Sequence, residues 1–228
     1  MNLMLILQVA PPVADITEKV TTEKNLFDLA MKGGIIMIPL ALMLIIAIYI
    51  IVERMVVINK ASKEDKSFMN RIKDYIFEGK VDSALNLCRQ TNNPSSRMVE
   101  KGISRLGRPM SDVLVAIENV GNLEIGKLEK GLGILATISG GGPMIGFFGT
   151  VIGMVDAFFE MSSRGDNIIV LSDLAGGIYT AMVTTVAGLF VGIIAYFGYN
   201  YLVSRVDNVM RNLETRSIEF LDMLNEPA

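Results

Sequence analysis

Residues 139–161 read SGGGPMIGFFGTVIGMVDAFFEM. From Gly131 to Val155 no residue is charged. At about 1.5 Å of rise per helical residue, that stretch can cross a hydrocarbon core roughly 30 Å thick. Inside it, Gly142, Gly146, Gly149 and Gly153 recur at i, i+4, i+7 and i+11. That spacing makes one helix face without side chains, of the kind that lets helices pack closely in lipid. Pro143 removes a backbone donor beside Gly140, Gly141 and Gly142 and is the expected point of bending.

Working outward, two more stretches are free of charge, 33–52 and 174–204. The chain therefore reads as an all-α membrane protein with three spans, at 33–53, 131–160 and 173–203. The mean hydropathy of +0.45 over 228 residues leaves room for one modest extramembrane region besides them. A net charge of −3 without a basic cluster argues against nucleic acid as a partner. With no histidine, the commonest metal ligand and general base are missing, and no G-x-x-x-x-G-K loop is present. We expect no enzyme, no metal and no cofactor. The Gly140–Gly142 run reads as packing. The single cysteine, Cys88, reads as a small buried apolar residue.

Lys and Arg sort unevenly: three in 1–32, fourteen in 54–130, Arg164 alone between the last two spans, and three in 205–228. The positive-inside rule puts 54–130 and 204–228 in the cytoplasm, and 1–32 and the short loop 161–172 outside. Residues 3–10 (LMLILQVA) fit a cleaved signal peptide or an interfacial segment. Tyr196, Tyr199 and Tyr201 lie where an interfacial aromatic belt would sit, and Glu53-Arg54 reads as a snorkelling anchor.

The region 54–130 reads as helices. Phe68, Ile72, Tyr75 and Ile76 share a face that Gly79 ends; VDSALNLCRQ stops at Asn92-Asn93-Pro94; Ser96 to Leu106 stops at Gly107 and Pro109. A long helix then starts at Ser111-Asp112, with Val113, Ile117, Val120 and Leu123 on one face. It is expected to run unbroken from about 112 to 160. The third span, with more uncharged residues than a bilayer needs, is expected to continue as helix to Leu224.

The third span repeats the small-residue character with Gly177, Ala181, Thr184, Gly188, Gly192 and Ala195. Thr150 borders the glycine face of the second span, and Thr180, Thr184 and Thr185 put hydroxyls into the third. A lone threonine in such a helix usually bonds its own carbonyls. The set together suggests a polar path or a groove for a partner. Asp156 and Glu160 fall near the outer end of the second span and read as solvated interfacial acids. A proton path normally carries an intramembrane carboxylate. Here a partner would have to supply it.

Gly33–Leu40 ending in Glu53-Arg54, Pro143–Met154 followed by Ala157-Phe158, and Ala181–Leu189 together resemble the three span motifs of the MotA/TolQ/ExbB family, the ExbB type in particular. The likeness covers about 30–205. It implies a pentamer in the bacterial inner membrane, with two copies of a single-span ExbD- or TolR-like protein in its pore. That partner would carry the protonatable aspartate, and Thr150 and Thr185 match the pore threonines that face it. It implies work done through a TonB- or TolA-like protein at the expense of proton-motive force. Some ExbB proteins have a glutamate where this chain has Thr180, which makes the pore less acidic. Two rivals stand beside this reading: a non-conducting membrane scaffold, and a TolQ-like or gliding-type motor of the same family.

Overall fold

The computed structural model describes residues 33–63, 65, 67–163 and 171–225. The N-terminal apolar run and Arg164 lie outside the described residues. After a 3-10 turn at Gly34–Ile36 come α1 (Met37–Ala61), α2 (Phe68–Phe77), α3 (Val81–Thr91), α4 (Pro94–Ile103), α5 (Met110–Glu129), α6 (Leu132–Ser163) and α7 (Leu171–Asn225). Among the described residues there is no strand. Among the described residues, three segments are long and apolar enough to cross a membrane: Gly34–Ala61, Met110–Ser163 and Ala175–Asn225. The protein is an all-α membrane protein whose α6 and α7 reach into, or join, a helical bundle beyond the membrane.

The 55 residues of α7 form the mast of the molecule, roughly 80 Å long. Its buried positions Ala195, Leu202, Val206, Val209, Leu213 and Phe220 follow a heptad-like rhythm, so one stripe faces inward throughout. Near the membrane that stripe meets α6 and α1; farther along it meets α4 and α5. On α1, Leu40, Ala47, Ile50, Arg54 and Ile58 are buried. Ile35, Ile38, Leu42, Ile45, Tyr49, Val52 and Val56 point outward, as lipid contact requires.

In the bundle, local signals end the short helices where the sequence places them. Gly79 takes a positive φ of 71° after α2. Asn92 caps α3 in the left-handed region. Asn93 and Ser96 then form a reciprocal capping box with Pro94 in the first turn of α4: the Ser96 amide donates to Asn93 Oδ1 at 2.7 Å and the Asn93 amide to Ser96 Oγ at 3.0 Å. This third bundle helix starts two residues before Ser96, because the cap fixes its first residue, and it ends at Ile103, short of Leu106.

Two expectations need correction. The single helix over 112–160 is interrupted. Lys130 is extended (φ −53°, ψ 126°) and Gly131 has φ +86°. Those are the angles of the central residues of a type II turn, whose second position requires positive φ. The helix restarts at once, with the Leu135 amide donating to the Gly131 carbonyl at 3.2 Å. Leu123 also leaves the expected face and is 66 % exposed. The buried seam of α5 runs Val113, Ile117, Gly121, Glu124 and Leu128, and Leu123 stands two residues from Gly121, about half a turn away.

Candidate functional site: the threonine edge of the α6–α7 pair

Helices α6 and α7 meet backbone to backbone. A Cβ on Gly188 would stand 2.6 Å from the Gly142 carbonyl oxygen and 2.7 Å from Gly146 Cα. A Cβ on Gly146 would stand 2.8 Å from the Thr184 carbonyl oxygen, and one on Gly142 3.1 Å from that of Gly188. Higher up, Gly149 opposes Thr184, Gly153 opposes Ala181 and Gly177 opposes Ala157. Gly192 lies against the Pro143 ring and the Ser139 carbonyl, which is the acceptor that Pro143 leaves without its usual donor. α6 stays helical across Pro143. In lipid there is no hydrophobic drive between helices, so this close approach is what holds the pair.

Helix α1 covers one side of the pair. Its Met43 faces Gly141 on α6, and its Ile51 faces Gly198 on α7. Thr150 is nine residues from Gly141, half a turn round α6; Thr185 is thirteen from Gly198, well over a third of a turn round α7. Both threonines therefore lie on the edge that α1 leaves open, and both are half-buried. Thr150 Oγ1 donates to its own Phe147 carbonyl at 2.6 Å, and Thr185 Oγ1 to the Gly146 carbonyl across the seam at 3.3 Å.

The four threonines are not equivalent. Thr184 is 2 % exposed, inside the seam, with Ala181 and Gly146 carbonyls at 2.7 and 3.3 Å from its hydroxyl. One hydroxyl proton serves only one of these at a time. Thr180 is half-buried and turned about 140° from Thr185, so it does not share the Thr150–Thr185 edge. Asp156 and Glu160 are exposed on the last turns of α6.

Two charged residues carry more structure than the sequence suggested. Arg54 does not snorkel to solvent: it is 8 % exposed, and its Nη1 donates to the Lys127 carbonyl at 3.1 Å while Nη2 pairs with Glu53 at 2.5 Å. Glu124, in the C-terminal third of α5, is 5 % exposed and is held by Arg97 at 2.5 Å and Lys127 at 2.6 Å. The signal for the first was Gly131 following Lys127 and Lys130, the pattern of a helix C-terminus. No comparable signal marks Glu124.

The sequence model of the MotA/TolQ/ExbB proton channel family matches residues 90–215, which take in the bundle from α4 onward and the whole threonine edge. The chain belongs to that family. Among MotA/TolQ/ExbB relatives, it is 30% identical over 223 residues to the Tol-Pal system protein TolQ of Haemophilus influenzae, covering 91% of this chain and 97% of that one. It is 28% identical over 181 residues to the biopolymer transport protein ExbB of Neisseria meningitidis, covering 73% of this chain and 80% of that protein. ExbB and TolQ relatives match at similar identity, so identity alone separates neither branch.

Proposed function

We propose that this chain is the channel-wall subunit of an ExbB-type motor in the bacterial inner membrane. In this reading five copies surround a pore with their Thr150–Thr185 edges turned inward. A single-span ExbD- or TolR-like partner occupies the pore and supplies a carboxylate. The N-terminus is periplasmic and the bundle and C-terminus are cytoplasmic. Work passes to a TonB-like protein and energises transport across the outer membrane.

The observation that carries it is the open edge itself: half-buried Thr150 and Thr185, whose hydroxyls donate to the Phe147 and Gly146 carbonyls, lie on a helix pair that has no charge from Gly131 to Val155 or from Leu174 to Ser204. Hydroxyls can donate to an ionised carboxylate and accept from a protonated one. An otherwise apolar wall tolerates the neutral acid sliding past and resists the ionised one. Protonation from one side and release to the other would then gate movement, with about 2.3 kcal/mol available per charge across 100 mV. Thr184, inside the seam, serves packing in this scheme, and Thr180 lies off the edge.

The test is proton flux into liposomes holding the chain with its single-span partner. The double variant Thr150→Val, Thr185→Val is expected to keep the oligomer and lose the flux. Full flux in that variant would remove the hydroxyls from the path, and no flux in the unmodified complex would favour a scaffold. The long TolQ alignment supports a second reading, in which the same motor drives a TolA-like protein. Complementation separates the two: siderophore uptake restored in a TonB-system deletion supports the first, and detergent resistance restored in a Tol deletion supports the second.

A further inference from the structure

We infer that Arg54 is a positioning residue that fixes the angle at which the channel-wall span α6 leaves the extramembrane helix α5. In an unbroken helix the Lys127 carbonyl would accept from the amide of Gly131. Extended Lys130 and left-handed Gly131 carry that amide away. Arg54, four helices earlier in the chain, reaches in from span α1 and donates Nη1 to the vacated carbonyl at 3.1 Å. Its second nitrogen holds Glu53 at 2.5 Å, which balances the cation where it is 8 % exposed. A cation at a helix C-terminus also meets the negative end of its dipole.

The joint is packed as well as bonded. Ile50, one turn before Arg54, lies where a Cβ on Gly131 would be 3.6 Å from its Cγ2. Span α1 therefore grips the break with an apolar contact on one side and a guanidinium on the other. The long mast α7 runs past the break as one uninterrupted helix. Any change in the tilt of α6 against the bundle must be absorbed at Lys130-Gly131, because hinges are few-residue segments that can change φ and ψ. Arg54 bonds the backbone of the outgoing helix just before that segment. It thus sets the resting angle of α6 through α1.

Arginine is suited to this and lysine is not. The planar guanidinium serves a carbonyl and a carboxylate at once, whereas an ammonium on a flexible stem holds neither in fixed geometry. The sequence feature that closes the first span, Glu53-Arg54, is thereby given a task distinct from anchoring at the interface.

The experiment measures the angle directly, so its outcome is separate from whether the chain conducts protons. Spin labels are placed on the full-length protein at Asn119→Cys in α5 and Met144→Cys in α6, both exposed positions, in bilayers with excess unlabelled subunits. A control pair, Asp82→Cys with Asn119→Cys, lies within the bundle. Unmodified Arg54 is expected to give a narrow α5–α6 distance distribution. Arg54→Ala is expected to broaden it about twofold, as a freed hinge does, with the control pair unchanged. Arg54→Lys should recover part of the width and Glu53→Gln should fall between. An α5–α6 distribution in Arg54→Ala as narrow as the original overturns the inference, and so does equal broadening of the control pair. If Arg54→Ala fails to accumulate in the membrane, Arg54→Lys and Glu53→Gln decide: broadening in both supports the joint, and the original width in both overturns it.

Discussion

At the scale of single residues, the same residue type does different work according to what stands opposite it. Gly188 lies against the Gly142 carbonyl and Gly146 Cα, both backbone, so a methyl there cannot be accommodated by moving a side chain. Gly188→Ala is expected to destabilise the protein by about 1–3 kcal/mol, the range for overpacking a tight contact. Gly126, on the exposed face of α5, has nothing within 4 Å of its would-be Cβ. Gly126→Ala should stabilise by about 0.5–1 kcal/mol through helix propensity alone. Thermal melts in detergent followed by circular dichroism would rank the two. Cys88 is buried against the bundle core, and burial, with a smaller contribution from the Glu100 charge, pushes its thiol up to about 12. A maleimide should leave it unmodified at pH 8 in the folded protein and label it after denaturation. The sign for stability follows. The unfolded thiol ionises near its ordinary value of 9.0 while the folded one stays protonated, so the contribution of Cys88 is intact below pH 9 and declines between pH 9 and about 12.

At the scale of elements, the starts and stops decide the geometry. The reciprocal bonds of Asn93 and Ser96 satisfy two donors at the head of α4, and Ser96 is fully buried. Asn93→Ala is expected to cost about 1 kcal/mol by loss of the cap, read as a lower melting temperature. The α4–α5 pair is tied by Glu124, and the burial of its partners predicts an asymmetry. Arg97 and Lys127 are 39% and 65% exposed at their side chains, so water can take them over when Glu124 is removed. Arg97→Ala instead leaves a buried carboxylate with one lysine. It should therefore destabilise more than Glu124→Leu, measured by urea titration of the same preparation. The glycine faces of the two inner spans, the stops of α2 and α3 and the length of α7 were legible in the sequence, because each follows from local periodicity or a local turn residue, whereas the cap that starts α4 at Pro94 was not read there. The break at Lys130-Gly131 was also written there, in a glycine after two lysines, but an uncharged helix-forming run on its far side masked it.

At the scale of the whole molecule, two kinds of solvent share one helix. Within the membrane α7 is held by backbone proximity to α6. Beyond it, the same stripe is held by ordinary apolar burial, ending in Phe220, which is fully buried and packs over Gly102 of α4. Phe220→Ala is expected to cost about 3–5 kcal/mol, and to cost it in the bundle. Hydrogen exchange should rise in α2 to α5 while the α6–α7 seam stays protected, since nothing in that seam depends on the phenyl ring. Exchange rising equally in both would mean that bundle and spans unfold as one unit.

What the sequence determined by itself is what depends on neighbours along the chain: three charge-free spans, small-residue helix faces and the threonines set among them. Composition and helical period are local quantities, and lipid tolerates few alternatives. Only the tertiary structure decided which hydroxyls are open and which are packed. Thr184 and Thr185 are adjacent in sequence and differ by 100° around the helix, and only the position of α1 and α6 makes one a seam residue and the other an edge residue. It also decided that Arg54 and Glu124 are buried, since a charge finds its partner through space: the Lys127 carbonyl comes to Arg54 from 73 residues away.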